Sequence, residues 1–340
     1  LVSDLLSRIT CNVSFCCSLS SSLLMDNVDV PWPLVNEITF IQEDLKPGGM
    51  SLILGNNRIA EAKADSWRII AGSEAGASGF ADGDGNATLF NNPMSLFQLN
   101  EDEIVIADTN NHCLRHLMRT NENTSIFAGR CQTSGDFDGD WETAIYGHPM
   151  HVAKDLKSPD HLIVLDVNAN NGFPTKIRQV DIRSRSTNSL GNCGAVMCSL
   201  RSFVQDPSTF DFYATSKSHE IHKLPYDNIG ASTVIAGSGS AGFQEGDGIT
   251  NSAKFSYPAQ LIFFDNDTLL IADKGNGRLR MYELTTDKSD SICNGGSPST
   301  VCAPLDTCNI ESPVSLYMSE GNLYAATSSE LYVIKCKLFM

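Results

Sequence analysis

"NNPMSLFQLNEDEIVIADTNNHCLRHLM" (residues 91–118), followed by "TSIFAG" (124–129), decides the fold class. It holds four apolar runs of four to six residues, each bounded by Asn, Asp or Gly. Runs that short, with such boundaries, are strands rather than helices. Aligning on its proline, Pro93, finds "GHPMHVAKD" (Pro149), "SYPAQLIFF" (Pro258) and "ESPVSLYMS" (Pro313). The gap from Pro149 to Pro258 is close to twice either of the other two. That middle gap is two periods, so one unit lacks its proline. "VMCSLRSFVQDPSTFDFYATS" supplies it, with Met197 where Pro93 stands, and "WPLVNEITF" opens a first unit at Pro33. The second run recurs as "HLIVLDV", "DFYATS", "TLLIAD" and "NLYAATS". The third recurs as "KIRQVDI", "EIHKLPY", "RLRMYEL" and "ELYVIKC".

Self-similarity at this period means a repeat architecture. Four antiparallel strands per unit, six times over, predicts an all-β, six-bladed β-propeller over 32–340, with an N-terminal extension over 1–31. Radial closure leaves few strand edges exposed. Units one and four lack the full glycine-rich phrase and are expected to be the most irregular.

That phrase is written twice, as "GFADGDGNATLF" (79–90) and "GFQEGDGITNSAKF" (242–255). Its reading is a link from the outer strand of one blade to the inner strand of the next. Gly83 and Gly85 permit positive φ, the acids cap turns, and Phe90 and Phe255 plug between blades. The competing reading is a calcium loop built on Asp82, Asp84, Asp136, Asp138 and Asp140. The spacing of a helix–loop–helix calcium site, with its closing Glu, is absent.

"IADTNNHCLRHL" and "IADKGNGRLRMYEL", each paired with "AG…G…GDG…A.F..P", resemble NHL repeats. The resemblance is closest in units two and five, fair in three and thin in one, four and six. It implies a propeller that serves as a platform for protein partners; the N-terminal segment and the odd cysteine count point instead to self-association as a fibre subunit.

Composition narrows the function classes. Among 340 residues, 40 acids stand against 24 bases, a net charge of -16. Such a surface repels nucleic acid. No apolar run has the length of a membrane helix. The segment ahead of Pro31 carries short apolar bursts like those of a signal peptide; it is expected to be retained and ordered. The chain does not begin with Met, as expected of a processed chain or a fragment. Eleven cysteines and four sequons (Asn12, Asn86, Asn123 and Asn266) point to an extracellular or cell-surface, disulfide-bonded glycoprotein with N-linked glycans.

Asn86, Asn123 and Asn266 are expected on surface connections. Cys113 and Cys131 flank one outer strand and are placed to pair. Cys193 and Cys198 lie near enough to staple the linker into unit four. Two of Cys293, Cys302 and Cys308 are expected to pair. Cys11, Cys16 and Cys17 precede a strand expected from "SSLLMDNVDV", which would complete the last blade and set one of them against Cys336 or a neighbouring chain. In the second case head-to-tail contacts would build a filament.

Enzyme chemistry is harder to find. His148/His151 and His219/His222 form two H-x-x-H pairs, but zinc needs three converging ligands with an open position. Alignment sets His151 level with Ser95, Ser199, Gln260 and Ser315, a polar ring expected to line the mouth of a solvated central channel. His222 falls on a third strand, away from the axis. Peptidyl-amidoglycolate lyases are similar in fold and hold zinc by histidines, which makes a metal-dependent lyase or hydrolase the alternative. With no matching histidine set and no nucleophile elbow or C-x-x-C pair, a non-catalytic binding or structural module without cofactor is the reading.

Overall fold

In the computed structural model the described residues are 16–19, 38–46, 51–63, 67–167, 175–192, 199–247, 252–293, 310, 312–319, 322–328 and 331–337. They form an all-β, propeller-like arrangement of antiparallel sheets. β1 (Cys16–Leu19) stands apart from sheet 1, which holds β2 (Ile38–Glu43), β3 (Ser51–Gly55), β4 (Arg58–Ala62) and β5 (Trp67–Ala71). Sheet 2 holds β6 (Gly83–Asp84), β7 (Pro93–Gln98), β8 (Glu103–Asp108), β9 (Cys113–Met118) and β10 (Asn123–Ala128). Sheet 3 is β11 (Pro149–Lys154), β12 (His161–Asp166), β13 (Lys176–Asp181) and β14 (Thr187–Asn192). Sheet 4 is β15 (Leu200–Gln205), β16 (Phe212–Ser216), β17 (Ile221–Leu224) and β18 (Thr233–Ala236). Sheet 5 is β19 (Gly246–Asp247), β20 (Pro258–Phe263), β21 (Thr268–Asp273), β22 (Arg278–Glu283) and β23 (Lys288–Cys293). Sheet 6 is β24 (Ser315–Ser319), β25 (Asn322–Ala326) and β26 (Leu331–Lys337), with β1 added at its outer edge.

The first strands β2, β7, β11, β15, β20 and β24 touch one another in that order, and β24 returns to β2. Apolar clusters fill the spaces between consecutive sheets. Another closes the circuit, packing Val314 and Tyr317 of the last unit against Ile38 and Ile41 of the first. Sheets covered on both faces explain the second strands, where Ile104–Ala107 and Leu162–Leu165 are wholly buried runs without alternation.

The strand starts correct the proline alignment. Each of β2, β7, β11, β15 and β20 opens on a register shift against its second strand. The shift falls at Pro93/Ser95, Pro149/His151, Leu200/Ser202 and Ile38/Phe40. A strand start or bulge accepts proline because it asks for no ladder donor there, but it does not demand proline. Leu200 therefore replaces Met197 as the counterpart of Pro93, and Ile38 replaces Pro33. Pro33 and Met197 lie outside the described residues.

The glycine phrase links sheets as expected and also edges them. After β5 the chain lays Gly83–Asp84 against Asn123 and Thr124 of β10, then crosses to β7. Gly246–Asp247 does the same on β23. Phe90 and Phe255 are fully buried between sheets 1 and 2 and between sheets 4 and 5. The strand completing sheet 6 is Cys16–Leu19, with Cys17 opposite Cys336. The "SSLLMDNVDV" stretch, assigned that role from sequence, lies outside the described residues.

Candidate functional site: an axial cavity and the clamps around it

The first strands enclose a cavity of about 390 Å³. All six sheets contribute the residue just after each strand-start position: Thr39, Met94, Met150, Arg201, Ala259 and Val314. Lys274 and Ser328 join them. One residue further on lie Phe40, Ser95, His151, Ser202 and Gln260, which also line it.

That second ring contains Ser95, His151 and Gln260 of the ring read from sequence. Ser315 occupies the equivalent position in sheet 6. Ser199 does not belong to it: it precedes β15, and its hydroxyl meets Ser216 and Ser218. The in-register residue is Ser202, because the Met197 alignment places the strand start too early. Phe40 is the first-sheet member.

Nor is the ring solvated. Ser95, Ser202, Ser315, Gln260 and His151 are all buried. The polar atoms of Ser95, His151, Gln260 and Ser315 bind the next strand, while the Ser202 hydroxyl meets His151 Nδ1 at 2.9 Å. The Val152 amide donates to Ser95 Oγ at 3.2 Å, and the Phe203 amide to His151 Nδ1 at 3.3 Å. The Leu316 amide donates to Gln260 Oε1 at 2.6 Å, and the Ile41 amide to Ser315 Oγ at 3.0 Å. A side chain on one inner strand thus satisfies a backbone donor on its neighbour, four times around the axis. Accepting at Nδ1 leaves the His151 proton on Nε2. Burial between Phe40 and Phe203 lowers its pKa to about 4, so the ring is neutral at pH 7.

The acids of the glycine phrase have a comparable role. Arg115, Arg178 and Arg280 stand at the same position of the third strand in sheets 2, 3 and 5, and all are fully buried. Each bonds the Asp ending the second strand: Arg115 to Asp108 and Arg178 to Asp166 at 3.1 Å, Arg280 to Asp273 at 3.4 Å. Each also takes an acid from the phrase: Asp82 at 2.6 Å, Asp138 at 2.8 Å and Glu245 at 3.0 Å. The guanidinium donates further to two phrase carbonyls, for example those of Leu89 and Ala81. It also packs on an aromatic plug: Phe90, Tyr146 or Phe255.

The acids considered for calcium are placed accordingly. Asp82 and Asp138 hold the arginines, and Asp84 accepts from the Asn123 side-chain amide at 2.7 Å. Asp136 pairs with Lys176 at 2.6 Å, and Asp140 caps its own turn through Thr143. No group of three or more His, Cys, Asp or Glu among the described residues is disposed to hold a metal.

Sheet 4 departs from the clamp. His222 stands where the arginines stand, and Ser216 where the aspartates do. The imidazole is buried and its pKa is lowered to about 4, so its 3.3 Å approach to Glu220 is not an ion pair at neutral pH. The H-x-x-H pairs do not converge. His148, just ahead of β11, stacks edge-on with His112, between β8 and β9, at 5.0 Å, and Tyr257, just ahead of β20, does so with His219, between β16 and β17, at 4.5 Å.

Cys113 and Cys131 form a disulfide bridging β9 to the segment after β10. Of the sequons, Asn86 and Asn266 are exposed. Asn123 lies within β10 rather than on a surface connection, and its side-chain amide is held by Asp84. Asn12, Cys11, Cys193, Cys198, Cys302 and Cys308 lie outside the described residues. Cys16, Cys17, Cys293 and Cys336 are described and fall on strands β1, β23 and β26.

No family model matches the chain. Across 323 residues it is 22% identical to the Arabidopsis thaliana protein SUPPRESSOR OF QUENCHING 1, chloroplastic, covering 83% of this chain. The chain spans only 29% of that protein's length. Among solved structures it is similar to a structural genomics protein of unknown function from Bacteroides thetaiotaomicron, at TM-score 0.49 and 13% identity over 85% and 82% of the two chains. A nidogen/laminin complex gives TM-score 0.49 and 13% identity over 80% and 82%.

Proposed function

We propose that the chain is a six-bladed, NHL-like propeller acting as a non-catalytic binding or structural module of an extracellular or cell-surface glycoprotein. The observation carrying this reading is the use made of the axial polar residues. In the sheets where Ser95, His151, Gln260 and Ser315 stand, the hydrogen-bonding atom is committed to the neighbouring strand. A metal-dependent lyase or hydrolase would gather free histidine nitrogens at the axis. Among the described residues, the histidine of the cavity wall is His151, whose Nδ1 is already accepting. The disulfide and the exposed Asn86 and Asn266 support the secretory part.

Cross-linking mass spectrometry on native material tests the binding role. Cross-links should concentrate on one face, around Lys217 and Lys274. Links spread evenly over the molecule would count against a docking face. Light scattering and electron microscopy separate a face-binding monomer from a fibre subunit.

A further inference from the structure

The six equivalent positions forming the inner cavity wall are Thr39, Met94, Met150, Arg201, Ala259 and Val314. Five are neutral and one is a guanidinium. The chain's net charge is -16, so a cation here is not short of acids elsewhere to pair with. Yet the Arg201 Nε is enclosed without a hydrogen-bond partner, and no described carboxylate acts on it. The ionisable group that does act on it is the Tyr257 phenol.

An unpartnered Nε is common to the enclosed arginines Arg58, Arg115, Arg119, Arg178 and Arg280. Each of those donates elsewhere, Arg58 to the Glu74 carbonyl at 2.8 Å, and Arg201 is the one without a described acceptor. Arg115, Arg178 and Arg280 each bond two acids. Arg119 bonds Asp44 at 2.7 Å and Glu61 at 2.6 Å. A partly buried guanidinium without an acceptor is unfavourable, because it gives up water and receives nothing in return. Where Arg115, Arg119, Arg178 and Arg280 meet acids, Arg201 lines a chamber whose wall mixes apolar side chains with hydroxyl, amide and imidazole groups.

We propose that the axial cavity binds a carboxylate attached to an apolar group, with Arg201 holding the carboxylate. The planar fork of a guanidinium matches a carboxylate with two parallel N–H···O bonds, and the low-dielectric wall strengthens them. Met94, Met150, Ala259, Val314 and the Phe40 ring supply the surface for the apolar part. The volume suits a small molecule or one inserted side chain. The carboxylate therefore comes either from a free organic acid or from the C-terminus of a protein partner. This rests on the cavity being the business end of the binding module proposed above.

Calorimetry and thermal shift with four probes test it: phenylacetate, phenylacetamide, a hexapeptide ending in Phe with a free carboxylate, and the same peptide amidated. Either carboxylate should bind saturably at millimolar concentration or below, and its amide at least tenfold more weakly. Binding of both acids assigns a free acid as sufficient; binding of the peptide alone assigns a protein terminus. Arg201→Gln should lower affinity at least tenfold while leaving the unliganded melting temperature equal or higher. Arg201→Lys should keep part of the affinity. If Arg201→Gln does not fold, the amide comparison on the native chain decides. Equal binding of acid and amide, no saturable binding of either acid, or an affinity indifferent to Arg201→Gln overturns the proposal. Cross-links that still map to one face in that event would leave the binding-module reading standing. Carboxylate binding with evenly scattered cross-links would sink that reading instead.

Discussion

At the scale of single residues, the buried arginines offer the sharpest test. Arg115 lies between Asp108 and Asp82 with no access to water. Removing the guanidinium strands a buried carboxylate, which costs about 3–5 kcal/mol, whereas replacing both partners is far milder. Arg115→Met should therefore destabilise by about that amount in urea melts, and Arg115→Met with Asp108→Asn by clearly less. Equal losses would show that the pair is not a unit.

His222 gives a pH signature. Its folded-state pKa, lowered to about 4 by burial, lies below the unfolded value of about 6.5. Between those limits the unfolded chain binds a proton that the folded chain refuses. Stability from this group is thus complete above pH 6.5 and falls as pH drops, by about 1.4 kcal/mol per unit. Asp108 and Asp166 act with the opposite sign, because burial raises each to about 6 and the folded chain takes up their protons first. The overall curve mixes these slopes, so a difference is the cleaner measurement. Relative to the native chain, His222→Leu should gain about 2 kcal/mol between pH 7 and pH 5. A difference that does not change with pH would show that the imidazole is not held neutral.

At the scale of elements, β10 separates the sequons. Asn123 is a strand residue paired between Met118 and Asp84, while Asn86, in a single 3-10 turn, and Asn266, on a bend between strands, are exposed. Expression through a secretory pathway followed by glycosidase treatment and peptide mapping should find glycan on Asn86 and Asn266 and little on Asn123. Full occupancy of Asn123 would mean that β6 does not edge β10. The strands themselves are legible in the sequence, because four apolar runs repeat at a regular period. Their registers are less so. Proline marks the starts of β7, β11 and β20 correctly, but a bulge accepts Leu200 or Ile38 equally well, and the alignment slips where proline is missing. The arginine clamp is in plain sight, since "CLRHL", "KIRQV" and "RLRMY" carry Arg at one aligned position after a strand ending in Asp. What no single strand reveals is that the phrase acid folds back onto that Arg. The polar ring reads as channel lining for a similar reason: its partners are backbone amides on a strand one whole repeat away.

At the scale of the whole molecule, the circuit of sheets is joined at sheet 6, where strands from the two ends of the chain meet. β24, β25 and β26 are consecutive, but the outer strand is β1, from the opposite end of the sequence. The backbone pairing Cys16↔Lys337 through Leu19↔Ile334 is what completes that sheet. Directly opposed residues of an antiparallel pair stand about 4.5–5.5 Å apart at Cα, within the range a disulfide spans. The register sets Cys17 opposite Cys336. A non-reducing peptide map should therefore return these two cysteines in one linked peptide pair. A bond closing so long a loop removes much unfolded-state entropy, with an effect of about 2–4 kcal/mol. Cys17→Ser should lower the melting temperature only under oxidising conditions, and deletion of residues 1–19 should lower it under both. The pairing lies within one chain, so light scattering of the native protein should give a mass independent of concentration. Mass that grows on concentration and collapses on deletion of residues 1–19 would instead mean that β1 completes the sheet of a neighbouring molecule, which is the route to a filament.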